Sequence, residues 1–208
     1  MKKNISRKKI AVFASGFGSN LQALIDFNIN GGLGGDIVLV FSNEPGALAL
    51  ERAGKHKIRT ACIDPPEFAN RQDFELEILK ILKREKIDLV VLAGYMFLLT
   101  PIMINEYKNR ILNIHPALLP SFKGTHGIRD AFEYGVRVSG VTVHFVNEEL
   151  DNGPVIMQAP VFISEDDSLD TFEEKIHRVE HKIYPQAVKL FCEDRLRIKG
   201  RKVEILPE

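Results

Sequence analysis

The stretch Ile10-Ala11-Val12-Phe13-Ala14-Ser15-Gly16-Phe17-Gly18-Ser19-Asn20-Leu21 decides the fold. A short apolar run, bounded by turn residues, reads as a buried parallel strand, and a helix follows the glycine turn. The same kind of run recurs at Ile37–Phe41, Ile58–Ile63, Ile87–Ala93 and Ile111–Ile114. Between the third and fourth runs, Asn70 is a good N-cap with Asp73 three residues on, and Phe74, Ile78, Ile81 and Leu82 share one face of a helix expected over Asn70–Glu85. Pro45 is expected to open another helix, through Ala53, that stops at Gly54. This rhythm predicts an α/β fold: an open, mostly parallel twisted sheet with helices on both faces. Ligands of such sheets bind outside the carboxyl ends of the strands.

The rhythm changes after residue 136. Val138–Val146 and Val155–Ile163 flank the turn Asp151-Asn152-Gly153-Pro154, so the sheet is expected to continue with longer, partly antiparallel strands. Ser168–Phe191 reads as one long helix capped by Ser168, with Leu169, Phe172, Ile176, Val179 and Ile183 inside and a kink expected at Pro185. Arg195–Leu206 reads as a terminal hairpin around Gly200.

Composition bounds the function. The 208 residues predict a single domain, are 45% hydrophobic and 27% charged, and contain no low-complexity tract, so a disordered chain is excluded. Lys plus Arg and Asp plus Glu are both 28, giving a net charge of zero, which disfavours a partner made of nucleic acid or anionic lipid. Cys62 and Cys192, 130 positions apart, read as ordinary thiols of a reducing compartment. Lys2, Lys3, Arg7, Lys8 and Lys9 read as a solvated basic lead-in, because the apolar run behind them is too short for a signal peptide. No stretch approaches 18 apolar residues, so a cytoplasmic protein with no membrane contact is expected.

Three places could carry chemistry. The turn at Gly18-Ser19-Asn20 can aim backbone N–H groups at an anion, with the helix dipole assisting. Leu21 stands where the dinucleotide fingerprint needs a third glycine, and no phosphate-loop lysine is present, so a single phosphate is the indicated ligand. A plain tight turn with Ser19 as N-cap is the alternative. Asn113 and His115, two apart, share one face at the carboxyl end of the fifth strand. An Asn donor beside a titratable His suits acyl transfer, although the pair could equally close off a strand end. Asp151 sits in a turn and, if folded over His115, would favour its charged form and fix its orientation. A fourth pattern, His177-Arg178-Val179-Glu180-His181, matches H-x-x-E-H of inverted zinc peptidases. It is loose, it lacks a third ligand, and no metal is expected.

Taken together, six ordered motifs resemble the folate-dependent glycinamide ribonucleotide transformylases of purine synthesis over residues 8 to 192. They are the 15–23 loop, Phe41-Ser42-Asn43, Ala93-Gly94-Tyr95-Met96, the run Asn113 to Phe122, the run Gly140 to Val146, and Leu150 to Ile156. The resemblance implies a Rossmann-like formyltransferase fold, with a nucleotide-binding half over about residues 8–107, a folate-binding and catalytic half over about 108–192, and a short C-terminal tail.

By this resemblance Asn113, His115 and Asp151 are catalytic. Gly18, Ser19, Asn20, Arg110 and Glu180 would bind glycinamide ribonucleotide. Arg71, Met96, Phe97, Leu98 and Leu99, with Asn113, would bind 10-formyltetrahydrofolate. That folate is a cosubstrate, and no tightly held cofactor is implied. The partners are these small molecules, and the assembly a monomer or homodimer. Many similar proteins carry a basic residue where this chain has Phe97, which leaves the role of that side chain open. Methionyl-tRNA formyltransferases resemble the chain around the catalytic trio but lack the phosphate loop and add an RNA-binding domain. Formyltetrahydrofolate hydrolases add an N-terminal regulatory domain. Neither addition is expected here. A zinc peptidase and a non-catalytic nucleotide-binding module are the readings from other classes.

Overall fold

The computed structural model describes residues 7–29 and 31–207; Lys2 and Lys3 of the basic lead-in lie outside the described residues. Strand β1 (Lys8–Phe13) leads into helix α1 (Ser19–Asn28), and β2 (Gly35–Ser42), α2 (Leu48–Lys55) and β3 (Arg59–Cys62) follow. A 3-10 turn at Pro65–Glu67 precedes α3 (Arg71–Glu85), then β4 (Leu89–Leu92), α4 (Pro101–Glu106), β5 (Ile111–His115) and α5 (Gly127–Tyr134). The remainder is β6 (Val138–Phe145), β7 (Val155–Phe162), α6 (Leu169–Cys192), β8 (Leu196–Lys199) and β9 (Lys202–Ile205).

All described strands join one sheet in the order β3-β2-β1-β4-β5-β6-β7-β9-β8. The pairs from β3 to β5 are parallel, β5–β6 and β6–β7 antiparallel, β7–β9 parallel at one position, and β8–β9 antiparallel. The chain order reverses beside β1: β2 lies on one side and β4 on the other. That is where open sheets part to admit a ligand.

Alternation along β1 divides the core into two. Ile10, Val12 and Ala14 pack with α1, α2, α5 and α6 on one face, while Ala11 and Phe13 pack with α3 and α4 on the other. The long helix is capped as its sequence predicts: Thr171 N donates to Ser168 Oγ at 3.2 Å and Ser168 N to Thr171 Oγ1 at 3.0 Å. It passes through Pro185 as one 24-residue element. The adjacent Tyr184 is fully buried and donates its hydroxyl to the carbonyls of Leu92 and Leu112 at 2.7 and 3.1 Å, which ties α6 to the carboxyl ends of β4 and β5. On the opposite face α3 is capped by Asn70, whose Oδ1 accepts from Asp73 N at 2.9 Å, and buries Phe74, Ile78 and Leu82. Truncating a buried phenylalanine such as Phe74 to alanine costs about 3–5 kcal/mol.

Two local readings are corrected. Pro45 lies in a turn ahead of α2, whose N-cap is Ala47, and α2 runs past Gly54 to Lys55. The left-handed residue after it is Lys57, with φ of 58°. The third strand is not buried: β3 pairs only with β2 at the sheet edge, and its residues are mostly exposed. Leu119–Pro120 is cis.

Candidate active site

The carboxyl ends of β1, β4 and β5 open into a cleft of about 730 Å³. Its floor at one end is the β1–α1 turn. Gly18, with φ of 75°, is the N-cap of α1, and no side chain caps the helix there. Ser19 is therefore the first helical residue and not the cap. Gly18, Ser19 and Asn20 line the cleft, so first-turn N–H groups are left for a ligand. A side chain at residue 18 is excluded twice: its φ is left-handed, and a Cβ would lie 2.9 Å from both Cα and Cβ of Ala49. The turn is braced from behind. Ala49 N donates to Gly16 O at 3.1 Å and Arg52 Nε to Phe17 O at 2.8 Å. Ser15 Oγ donates to Asn43 Oδ1 at 2.7 Å and accepts from Met96 N at 2.9 Å, joining the turn to the segment after β4.

Helix α6 closes this end. Glu180, 4% exposed, accepts at one oxygen from Asn20 Nδ2 at 3.0 Å and lies 2.9 Å from His177 Nδ1. That hydrogen bond, more than any other influence, holds the His177 pKa above its ordinary value of 6.5, while burial lowers that of His181. His177 and Glu180 are thus committed to each other and Glu180 to Asn20, while the His181 ring only stacks on His177. Among the described residues no cluster of three or more His, Cys, Asp or Glu is arranged to hold a metal ion.

At the centre stand Asn113 and His115, on the same face of β5 because they are two positions apart. His115 is 3% exposed; its Nε2 is 2.7 Å from Phe122 O and its Nδ1 3.4 Å from Asp151 Oδ2. Both ring nitrogens face acceptors. Asp151, itself at φ of 49°, also accepts from Gly124 N at 2.8 Å, which pins the 147–154 turn over the loop that follows β5.

The antiparallel register sets His144 opposite Asn113 and Thr142 opposite His115. His144 is a site residue that the sequence reading passed over. Its Nδ1 is 2.8 Å from its neighbour's carbonyl, Phe145 O, and its Nε2 is 3.2 Å from Asn113 Nδ2. Burial lowers its pKa, so the neutral ring donates from Nδ1 and accepts from Asn113 at Nε2, fixing which way the amide points. A histidine inside the run Gly140 to Val146, where Thr142 is the other polar side chain, was the available signal.

The opposite wall is the segment after β4, where Met96, Phe97, Leu98 and Leu99 line the cleft. Glu75 of α3, 1% exposed, accepts from Thr100 N at 2.6 Å and from the Thr100 hydroxyl, holding this segment from behind. Sequence reading missed Glu75 as well, since nothing local distinguishes it from a solvated helix acid. Arg71, the first residue of α3, lies over the Phe97 ring and so sits at the rim of the cleft.

Arg110 is not brought to the site. It precedes β5, donates to Glu106 O at 2.6 Å and stacks on Tyr107. Five strand residues, at about 3.3 Å each, separate it from the carboxyl end where the phosphate turn lies. The guanidinium beside that turn belongs to Arg52. The cleft also takes residues from both expected halves, Met96 and Phe97 from the first and Glu180 from the second, because one sheet runs through them.

Among the described residues no helix is long and apolar enough to cross a membrane. The family model for formyl transferases matches residues 8–188. A phosphoribosylglycinamide formyltransferase of Bacillus subtilis is 40% identical over 182 residues, covering 88% of this chain and 93% of that protein. A trifunctional purine biosynthetic protein of Drosophila melanogaster is 44% identical over 186 residues, and there the chain spans only 14% of the relative's length. The crystal structure of glycinamide ribonucleotide transformylase 1 from Symbiobacterium toebii superimposes with a TM-score of 0.94 at 43% identity, covering 97% of this chain and 95% of that one.

Proposed function

The chain belongs to the formyl transferase family, and on that premise we propose that it is a phosphoribosylglycinamide formyltransferase. It moves the formyl group of 10-formyltetrahydrofolate to the amine of glycinamide ribonucleotide. The observation that carries this reading is the meeting, in one cleft, of an uncapped helix start at Gly18 with the Asn113–His115–Asp151 cluster.

The phosphate of the nucleotide sits on the first turn of α1, held by N–H groups and dipole. Glu180 faces the glycinamide end of the same substrate, where a carboxylate favours an amine. The folate lies along residues 96–99, which offer main chain and apolar surface. Arg52, not Arg110, is the cation that braces the phosphate turn.

The amine lone pair attacks the formyl carbon, and the carbonyl electrons move onto its oxygen. The second N–H of the Asn113 amide donates to that oxyanion, and the His115 ring joins it by turning one N–H away from Phe122 O or Asp151. Collapse re-forms the carbonyl and breaks the bond to the folate nitrogen, which takes up the proton that the amine loses. Asp151, 3.4 Å from His115 Nδ1, fixes the orientation of the ring.

The test is loss of the folate formyl group, followed by absorbance, with and without glycinamide ribonucleotide. Turnover that depends on the nucleotide supports transfer. Equal formyl loss without it identifies a hydrolase instead.

A further inference from the structure

Phe97 follows the Ala93–Met96 run and lines the cleft, and its ring has a defined setting. The Phe97 ring meets Phe74 of α3 edge-on, with centroids 5.6 Å apart and planes at 67°. The guanidinium carbon of Arg71 lies 4.6 Å from the Phe97 centroid. A cation over a ring face at this distance is attracted by the ring quadrupole.

Arg71 is otherwise uncommitted. It is exposed, and among the described residues no carboxylate pairs with it and no acceptor takes a hydrogen bond from it. With its carbon over the ring and no acceptor taken, the guanidinium keeps its N–H donors for a ligand, and these match a carboxylate in the plane. Its place at the start of α3 adds the positive end of a helix dipole. An arginine free to swing loses rotamer freedom when it grips a ligand; one already lying on a ring loses less.

The folate cosubstrate ends in a glutamate, remote from its pterin. Resting on the formyltransferase reading, we propose that Phe97 is a positioning residue whose ring holds Arg71 at the cleft rim for the carboxylates of that glutamate tail. It sets affinity for the anionic tail and leaves the chemistry of transfer alone.

Steady-state kinetics of F97L, F97Y, R71Q and F97L/R71Q, with 10-formyltetrahydrofolate and with 10-formyltetrahydropteroate, which lacks the glutamate, test this. F97L should raise the folate KM about two- to fivefold, the size of an exposed cation–π contact, with kcat and the nucleotide KM unchanged. F97Y, which keeps the ring, should restore the wild-type KM. The F97L effect should vanish in the R71Q background and with the pteroate donor. A folate KM unmoved by F97L, or an equal F97L effect in the R71Q background, overturns the proposal while wild-type transfer persists. Absence of nucleotide-dependent formyl transfer by the wild type overturns the underlying reading instead.

Discussion

Asn113 and His144 face each other across the antiparallel pair β5–β6, with Asn113 Nδ2 3.2 Å from His144 Nε2. His144 is 2% exposed, and burial lowers its pKa, so an Asn donor is oriented by a neutral ring that accepts from it. His144→Phe keeps the volume and removes the acceptor. We expect kcat to fall about five- to tenfold, the value of one neutral hydrogen bond, with both KM values nearly unchanged. The unfolded chain binds a proton at this position more readily than the folded one. Stability is therefore retained above the unfolded value near 6.5 and lost as pH falls below it, and His144→Phe should lose less on acidification. Parallel acid-side melting curves for the two proteins would contradict this.

Asp151 holds two things at once, the His115 ring at 3.4 Å and the Gly124 amide at 2.8 Å. Asp151→Asn removes the charge and retains the size. A loss of roughly 100- to 1,000-fold in kcat is expected, as for other electrostatic contributions to an oxyanion. The double variant with His115→Ala should be little worse than either single one, because a pair acting as a unit is not additive. Fully multiplicative losses would show that Asp151 acts independently of His115.

Gly18→Ala places a Cβ 2.9 Å from Ala49 and forces a left-handed backbone on alanine. The conformation alone costs about 1–2 kcal/mol. Thermal denaturation should show that loss, and calorimetry should show weaker glycinamide ribonucleotide binding with folate affinity retained. Equal weakening of both ligands would count against a phosphate site at this turn.

His177 lies 2.9 Å from Glu180 and 3.4 Å from Glu173, with the His181 ring stacked beside it at 6.3 Å. The hydrogen bond to Glu180 raises its pKa above 6.5. Its contribution to stability is thus complete below pH 6.5 and disappears as pH rises through the folded value. The melting-temperature gap between wild type and His177→Gln should be widest near pH 6 and close toward pH 9; a gap that stays constant would rule the linkage out. Exhaustive chelation should leave activity intact, and one zinc per chain lost together with activity would overturn that expectation.

Thr100→Ala strips a hydroxyl donor from the buried Glu75 carboxylate and the cap from α4. A loss of about 1–3 kcal/mol is expected from the unsatisfied carboxylate oxygen. The folate KM should rise with it and the nucleotide KM should hold, since Thr100 anchors the wall formed by residues 96–99. A rise in the nucleotide KM alone would place the folate elsewhere.

What the chain states locally was legible in its sequence. The apolar alternation from Ile10 to Ala14, the caps at Asn70 and Ser168, and the two-residue step from Asn113 to His115 each depend on residues within a turn or a pleat of one another. Backbone geometry converts such spacing directly into a shared face. The antiparallel return after residue 136 was equally plain, because Asn152-Gly153-Pro154 between two apolar runs permits little else.

Tertiary structure decided what sequence spacing does not carry. The β5–β6 register sets His144 against Asn113, residues 31 positions apart, and packing of α6 brings Glu180 to Asn20 across 160. The same holds for Arg71 on Phe97, a contact made only because α3 and the segment after β4 cover the same face of the sheet. Arg110 marks the boundary between the two kinds of information. Its place in the chain, next to β5, is local, but whether it reaches a ligand depends on the direction of the strand. A parallel strand presents its carboxyl end to the cleft and leaves the residue before it at the far edge of the sheet.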